Sequence, residues 1–192
     1  LGSAKMKEVV IPNTIETLGF GVFQMCSSLE KVTFESGSKV TELKDSMFYQ
    51  CTKLKEVVFP ENLKSIKVLA FYKCTSLETV TLPEGFTTLY NAAFLDCTNL
   101  KTVIVPDSLN HMVMNPFEGC TNLETLSVPY RCWQFGIVAA EWTETSVMPL
   151  TDAVNMQTLY IDQVEGKYDW HEKELPKSAA YETMKIYFRK PT

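Results

Sequence analysis

Cysteine and histidine are the residue types here that most readily do chemistry, and the spacing of the six cysteines and two histidines decides which chemistry is open to them. A structural zinc site needs closely spaced pairs such as Cys-x-x-Cys, and the sequence contains none. Cys26, Cys51, Cys74, Cys97 and Cys120 instead recur at steps of 25, 23, 23 and 23 residues. A disulfide framework would be denser and less regular, and thiols in register on parallel segments rarely meet the dihedral a bridge requires. These thiols are expected to be buried, reduced and structural, acting as small apolar groups. Cys132 falls where the pattern wants an apolar residue, the place of Leu63 and Leu109. His171, beside Asp169 and Glu172, is a weak metal or acid-base signal in a polar stretch, 166–174, that reads as an exposed loop. His111, between Leu109 and Met112, is expected on a surface turn. No catalytic residue, metal site or cofactor is assigned.

The elements that carry these cysteines explain their spacing. The phrase Phe-x-x-Cys-x-x-Leu-x-x-(Val/Leu) starts at Phe23, Phe48, Phe71, Phe94 and Phe117. After the Val comes an apolar residue two positions on, usually a Pro, and then two apolar positions three apart, as in Val57, Phe59, Pro60, Leu63 and Ile66. A fixed period in this range means stacked supersecondary units. Met6 to Leu18 supplies half of an earlier unit, and a two-residue insertion around Ser36-Gly37-Ser38 accounts for the single 25-residue step. Leu123-Glu-Thr-Leu126-Ser-Val128 is echoed by Met156 to Ile161 and by Tyr181 to Ile186. Strand signals therefore centre on Val9, Val32, Val57, Val80, Val103, Leu126, Leu159 and Met184.

Within each strand the side chains alternate: Leu77, Val80 and Leu82 inward, Thr79 and Thr81 outward, which is the period of a strand with one wet face. Stacked in register these strands make a curved parallel sheet of about eight strands, and the Pro that follows ends each ladder. The returns are too short for ordinary helices. The expected organisation is one elongated domain over 1–192, with regular repeats in 6–128 and irregular repeats or a cap in 129–192. Hydrophobic residues at 45% and charged residues at 21% of 192 positions suit one folded body. No apolar run is long enough to span a membrane as a helix. The chain begins at Leu1-Gly2-Ser3 inside a repeat, as a processed or recombinant fragment would. A net charge of −5 and a pI near 5.2 argue against nucleic acid as a partner.

The pattern Leu-x-x-Val-x-(Leu/Val)-Pro-x-x-Leu-x-x-Ile-x-x-x-Ala-Phe-x-x-Cys, best seen in Leu54 to Cys74 and Leu77 to Cys97, resembles the 23-residue leucine-rich repeat of the Treponema-type, BspA-like bacterial surface proteins. The likeness covers Met6 to about Val128; Ala139-Ala140-Glu141-Trp142 is similar to the closing segment of such arrays. The resemblance implies a leucine-rich repeat solenoid of the α/β class, predominantly β. It also implies an extracellular or cell-surface location and a non-catalytic role in protein-protein contact or adhesion, with a host or matrix protein as ligand.

The surface of the repeat is where binding would occur. The residue after each Leu alternates in charge, as Lys7, Glu30, Lys55, Glu78, Lys101 and Glu124, so each lysine is expected to have a glutamate on both sides. The outward strand positions form a Thr-rich, partly apolar stripe whose candidate contacts are Val10, Val58, Thr79, Thr81, Thr102, Ile104 and Tyr160; Ser127 is expected to face outward in the same column. Seven steps of about 4.8 Å by about 10 Å give the stripe roughly 340 Å², against about 800 Å² that each partner brings to a standard interface. Flanking loops or the tail must then contribute, and the tail holds Tyr130, Trp133, Trp142 and Trp170, either as a protein or glycan platform or as the seal of the solenoid's open end. The alternative to a binding module is a structural spacer within a larger surface protein.

Overall fold

The computed structural model describes residues 5–113 and 115–129, together with the strands Thr158–Asp162 and Lys185–Arg189. In chain order the strands are β1 (Glu8–Ile11), β2 (Lys31–Phe34), β3 (Glu42–Leu43), β4 (Glu56–Val58), β5 (Ser65–Ile66), β6 (Thr79–Thr81), β7 (Thr88–Leu89), β8 (Thr102–Ile104), β9 (His111–Met112), β10 (Thr125–Pro129), β11 (Thr158–Asp162) and β12 (Lys185–Arg189). All pairings are parallel. Among the described residues there is no helix, because a return of a few residues has no room for one. The result is a solenoid, each regular coil passing from a front strand through a return to a loop.

The front strands arise from the alternation already legible in the sequence: in β6, Val80 is buried between the exposed Thr79 and Thr81. Register matches the repeat, with Val9 opposite Val32, Val32 opposite Val57, and Val80 opposite Val103. The front is nevertheless two sheets, β1-β2-β4 and β6-β8-β10-β11-β12, with the ladder broken between β4 and β6. Val57 is half-buried at this break, whereas Val32, Val80 and Val103 are fully buried. Phe59 turns its ring edge-on to Phe71, 6.0 Å away, in the slot that Phe34 fills with an equally large ring and Leu82 and Val105 with smaller side chains.

The returns form a second sheet that short periodicity conceals, β3-β5-β7-β9. Leu43, Ile66, Leu89 and Met112 point inward from it. His111 is exposed in β9 rather than in a turn, because its amide joins that ladder by donating to Thr87 O at 3.1 Å.

The loops make a third ladder. The amides of Phe23, Phe48, Phe71 and Phe94 donate to the carbonyls of Met47, Ala70, Ala93 and Pro116 in the following coil, at 2.7–3.0 Å. Alternate amides can point along the stack only if the backbone repeatedly enters the left-handed region, and it does so at Ser46 and Gln50, Leu69 and Lys73, Ala92 and Asp96, with φ between 54° and 58°. None of these is glycine, so packing holds an arrangement that costs about 1–2 kcal/mol per residue. The Phe rings stack from coil to coil at centroid spacings of 4.9–5.7 Å.

The cysteines complete this ladder. Four of the thiols donate to the Phe carbonyl of the preceding coil: Cys51 to Phe23, Cys74 to Phe48, Cys97 to Phe71 and Cys120 to Phe94, at 3.0–3.2 Å. The same carbonyls accept the amide of the Cys in their own coil, so both lone pairs are used. Cys26, Cys51, Cys74, Cys97 and Cys120 are buried and free of disulfides. Burial pushes the Cys51 thiol up to about 12, and those of Cys74 and Cys97 well above the ordinary value. Cys132 lies outside the described residues.

Two further expectations are corrected. Ile186, rather than Met184, stands opposite Leu159 in β12; a shift of two residues keeps the inward parity, which a shift of one would reverse. Ser127 keeps its register in the outward column but is buried rather than exposed. Its short side chain lies on a strand flanked by β8 and β11, opposite Ile104 and Tyr160 in register.

Candidate binding face

Two columns of residues in backbone register cross the front face. The first runs Glu8, Lys31, Glu56 in β1-β2-β4 and Thr79, Thr102, Thr125, Thr158, Lys185 in the five-stranded sheet. The second runs Val10, Thr33, Val58 and then Thr81, Ile104, Ser127, Tyr160, Tyr187. The break between β4 and β6 coincides with the change from charge to threonine in the first column. Val10, Val58 and Ile104 are 57%, 42% and 44% exposed, which makes them true surface apolar groups rather than partly covered core. Thr79 and Thr81 are exposed and Thr102 is half-buried. Strand geometry brings these residues onto one face, while the sheet break divides Val10 and Val58 from the rest. Tyr160 shares the column through its backbone register. Tyr130, Trp133, Trp142, Trp170 and His171 lie outside the described residues.

Charge on this face is locally neutralised. Lys31 meets Glu56 at 2.8 Å, Lys55 meets Glu30 at 2.9 Å, and Lys101 meets Glu78 at 3.3 Å. The hydrogen bond and charge of Lys55 lower the Glu30 carboxyl, and the hydrogen bond from Lys31 to Glu56 raises the Lys31 ammonium. In the alternating column Lys55 and Lys101 thus pair with the glutamate of the preceding coil, whereas Lys31, one position on, pairs with Glu56 of the following coil. Lys55 makes no ion pair with Glu78, nor Lys101 with Glu124, so each of these lysines has one glutamate partner rather than two. Exposed pairs of this kind help choose register more than they stabilise. Among the described residues no group of three or more His, Cys, Asp or Glu is placed to hold a metal ion, and there is no helix long and apolar enough to cross a membrane.

Sequence reasoning missed a second apolar surface, made by Phe20, Val22 and Met25, which are 68%, 46% and 47% exposed on the first loop. The signal was present: the slot of Val22 holds Met47, Ala70 and Ala93 in later coils, all fully buried under a neighbouring loop.

Similarity to known proteins agrees with this architecture. The family model for BspA type leucine rich repeat regions matches six copies over residues 2–124. The Leucine Rich Repeat protein of T. pallidum superposes with a TM-score of 0.62 at 24% identity, over 79% of this chain and 68% of that one. A leucine-rich repeat protein from Bacteroides ovatus gives 0.56 at 29% identity, over 68% of this chain. A leucine rich cell surface protein from Faecalibacterium prausnitzii gives 0.57 at 24% identity, over 81% of this chain. The chain spans 39% of the length of each of the last two. Among curated proteins none matches. The repeat phrase, the stacked parallel strands and the family match over most of the chain lead to one assignment: this chain belongs to the BspA type leucine-rich repeat family.

Proposed function

We propose that the chain is a non-catalytic binding module of a cell-surface or secreted protein, and that it recognises a protein ligand, such as a host or matrix protein, through its front face. The observation that carries this reading is the exposure of Val10, Val58 and Ile104 among threonines. Isolated valines on a wet strand add strand propensity, but an aligned apolar column flanked by small hydroxyl side chains also offers a partner a surface that is cheap to desolvate. The Faecalibacterium neighbour is a cell surface protein, which supports the location. In this reading 1–192 is one domain, 6–128 forms the recognition array, and 129–192, with Tyr130, Trp133, Trp142 and Trp170, closes it and widens the contact.

The test is binding of the purified chain to a panel of purified matrix proteins and glycans, repeated with Val58→Lys and Ile104→Lys together. Hot-spot energetics predict at least about a tenfold loss of affinity for a protein ligand that uses the face. Unchanged binding by that variant, with loss on replacing Trp133, Trp142 and Trp170, would move the site to the tail. No binding to any member of the panel favours a spacer.

A further inference from the structure

The return sheet has a break of its own, at the insertion, on the other side of the molecule from the face discussed above. From the second coil to the fifth every step is closed in one way. The amides of Ser65 and Lys67 donate to the carbonyls of Thr41 and Leu43, those of Thr88 and Tyr90 to Lys64 and Ile66, and those of His111 and Val113 to Thr87 and Leu89, at 2.9–3.3 Å. By that rule Glu42 and Lys44 should donate to the carbonyls of Glu16 and Leu18. Among the described residues no such bond exists, and a cleft of about 270 Å³ lies between the two segments, lined by Thr17, Leu18, Thr41 and Glu42 among others.

The two extra residues explain the gap. Ser38 is buried, its hydroxyl accepts the Val40 amide at 3.3 Å, and its carbonyl accepts Asn62 Nδ2 at 3.1 Å. The insertion is thus held to the coil before it at Ser36, whose carbonyl accepts Asn13 Nδ2 at 3.2 Å, and to the coil after it at Ser38, and it enters β3 from the latter. Lys39 reaches across to Glu16 at 3.0 Å, but both side chains are exposed.

The walls are complementary in sense and unsatisfied. One presents amide donors two residues apart, Glu42 and Lys44; the other presents carbonyl acceptors two residues apart, Glu16 and Leu18. That spacing is the spacing of a parallel ladder. Most of the charge on the cleft walls is engaged: Glu42 is held by Lys44, by Lys67 at 2.8 Å and by the Ser65 hydroxyl at 3.2 Å, Glu16 by Lys39, and the Lys64 ammonium donates to the Gly85 carbonyl at 3.0 Å. Main chain is what remains for recognition. The geometry points to strand addition: an extended, uncharged peptide segment of a partner lies in this cleft parallel to β3, accepting from Glu42 and Lys44 and donating to Glu16 and Leu18. Thr17 and Thr41 on the walls suit small alternating side chains such as Thr and Val.

The probe is a capped pentapeptide, Thr-Val-Thr-Val-Thr, added in excess to the labelled full chain, with hydrogen exchange read at each amide. Slowing of at least about tenfold at Glu42 and Lys44 is expected, together with none from the same peptide carrying N-methyl groups on alternate amides. Removing Gly37 and Ser38 restores the 23-residue step and is expected to protect both amides without peptide and to abolish its effect. If that variant does not fold, Thr41→Trp fills the cleft and serves instead, its fold checked by circular dichroism. The proposal is overturned if the two amides are already protected in the free chain, if peptide leaves their exchange unchanged, or if the N-methylated peptide acts equally. Protection that rises with protein concentration alone would also overturn it, in favour of a second copy.

Discussion

The loop ladder runs unbroken through five coils, while each strand ladder is interrupted once, on the front between β4 and β6 and on the return before β3. The contrast lies in what each ladder is made of. A front or return strand of two to five residues contributes a few backbone bonds and only a few inward side chains. The loop contributes a buried Phe stacked on the next Phe, a buried thiol on the preceding carbonyl, and alternate amides pointing along the stack. The stack passes both interruptions without losing loop register: Phe23 still donates to Met47 across the insertion, and Phe71 still stacks between Phe48 and Phe94 beside the front break. Backbone pairing in this solenoid follows the packed column, and packing does not depend on every rung being made.

The sharpest way to break that comparison is to remove a ring from the column. Phe71→Ala is expected to cost about 3–5 kcal/mol, since it empties a fully buried site and ends two stacking contacts. Thr79→Ala, at the front break, should stay within about 0.5 kcal/mol. Urea unfolding monitored by circular dichroism measures both, and equal costs would mean that the strands and the loops share the load.

A smaller effect separates the thiol from its volume. Cys74→Ala is expected to cost about 1–2 kcal/mol, through a lost hydrogen bond and a small cavity. Cys26→Ala should cost less, because no Phe carbonyl of an earlier coil accepts that thiol among the described residues. The difference in unfolding midpoints is the readout; if Cys26 proved the costlier, the carbonyl bond would contribute nothing.

The smallest effect belongs to the return sheet and depends on pH. Burial alone would raise the Glu42 carboxyl, but hydrogen bonds from Lys44, Lys67 and Ser65 outweigh it and hold the group at about 2, from an ordinary 4.5. A lowered folded value stabilises the protein fully above the unfolded value, and that contribution is lost as pH falls through the folded one. Glu42→Gln is therefore expected to destabilise by about 1 kcal/mol at pH 7, after allowance for partial exposure, with the gap closing as pH falls from near 4.5 to near 2. Thermal melts of both proteins across that range decide it; a constant gap would deny the ionic origin.

The front strands were legible because Val80 and Leu82 against Thr79 and Thr81 display a period of two over enough residues to recognise. The insertion at Ser36 to Ser38 was legible as a spacing, and its consequence, an open step in the return ladder, was not. The return strands escaped notice because Thr88–Leu89 has one inward residue and no period to show. Leu69 and Ala92 gave no hint of left-handed backbone, since the residue that signals it, glycine, is missing there. The front break was illegible for a different reason: Lys55 and Glu78 continue the charge alternation across it, and only the strand pairing reveals the parting.

By itself the sequence determined the coil, its period, its inward and outward faces and the family, because each follows from residue type at fixed spacing along one unit. Only the tertiary structure decided what the cysteines do, where the sheets divide and which amides are left without partners. Those properties belong to the contact between one coil and the next, where two residues added to a return change which backbone groups can meet.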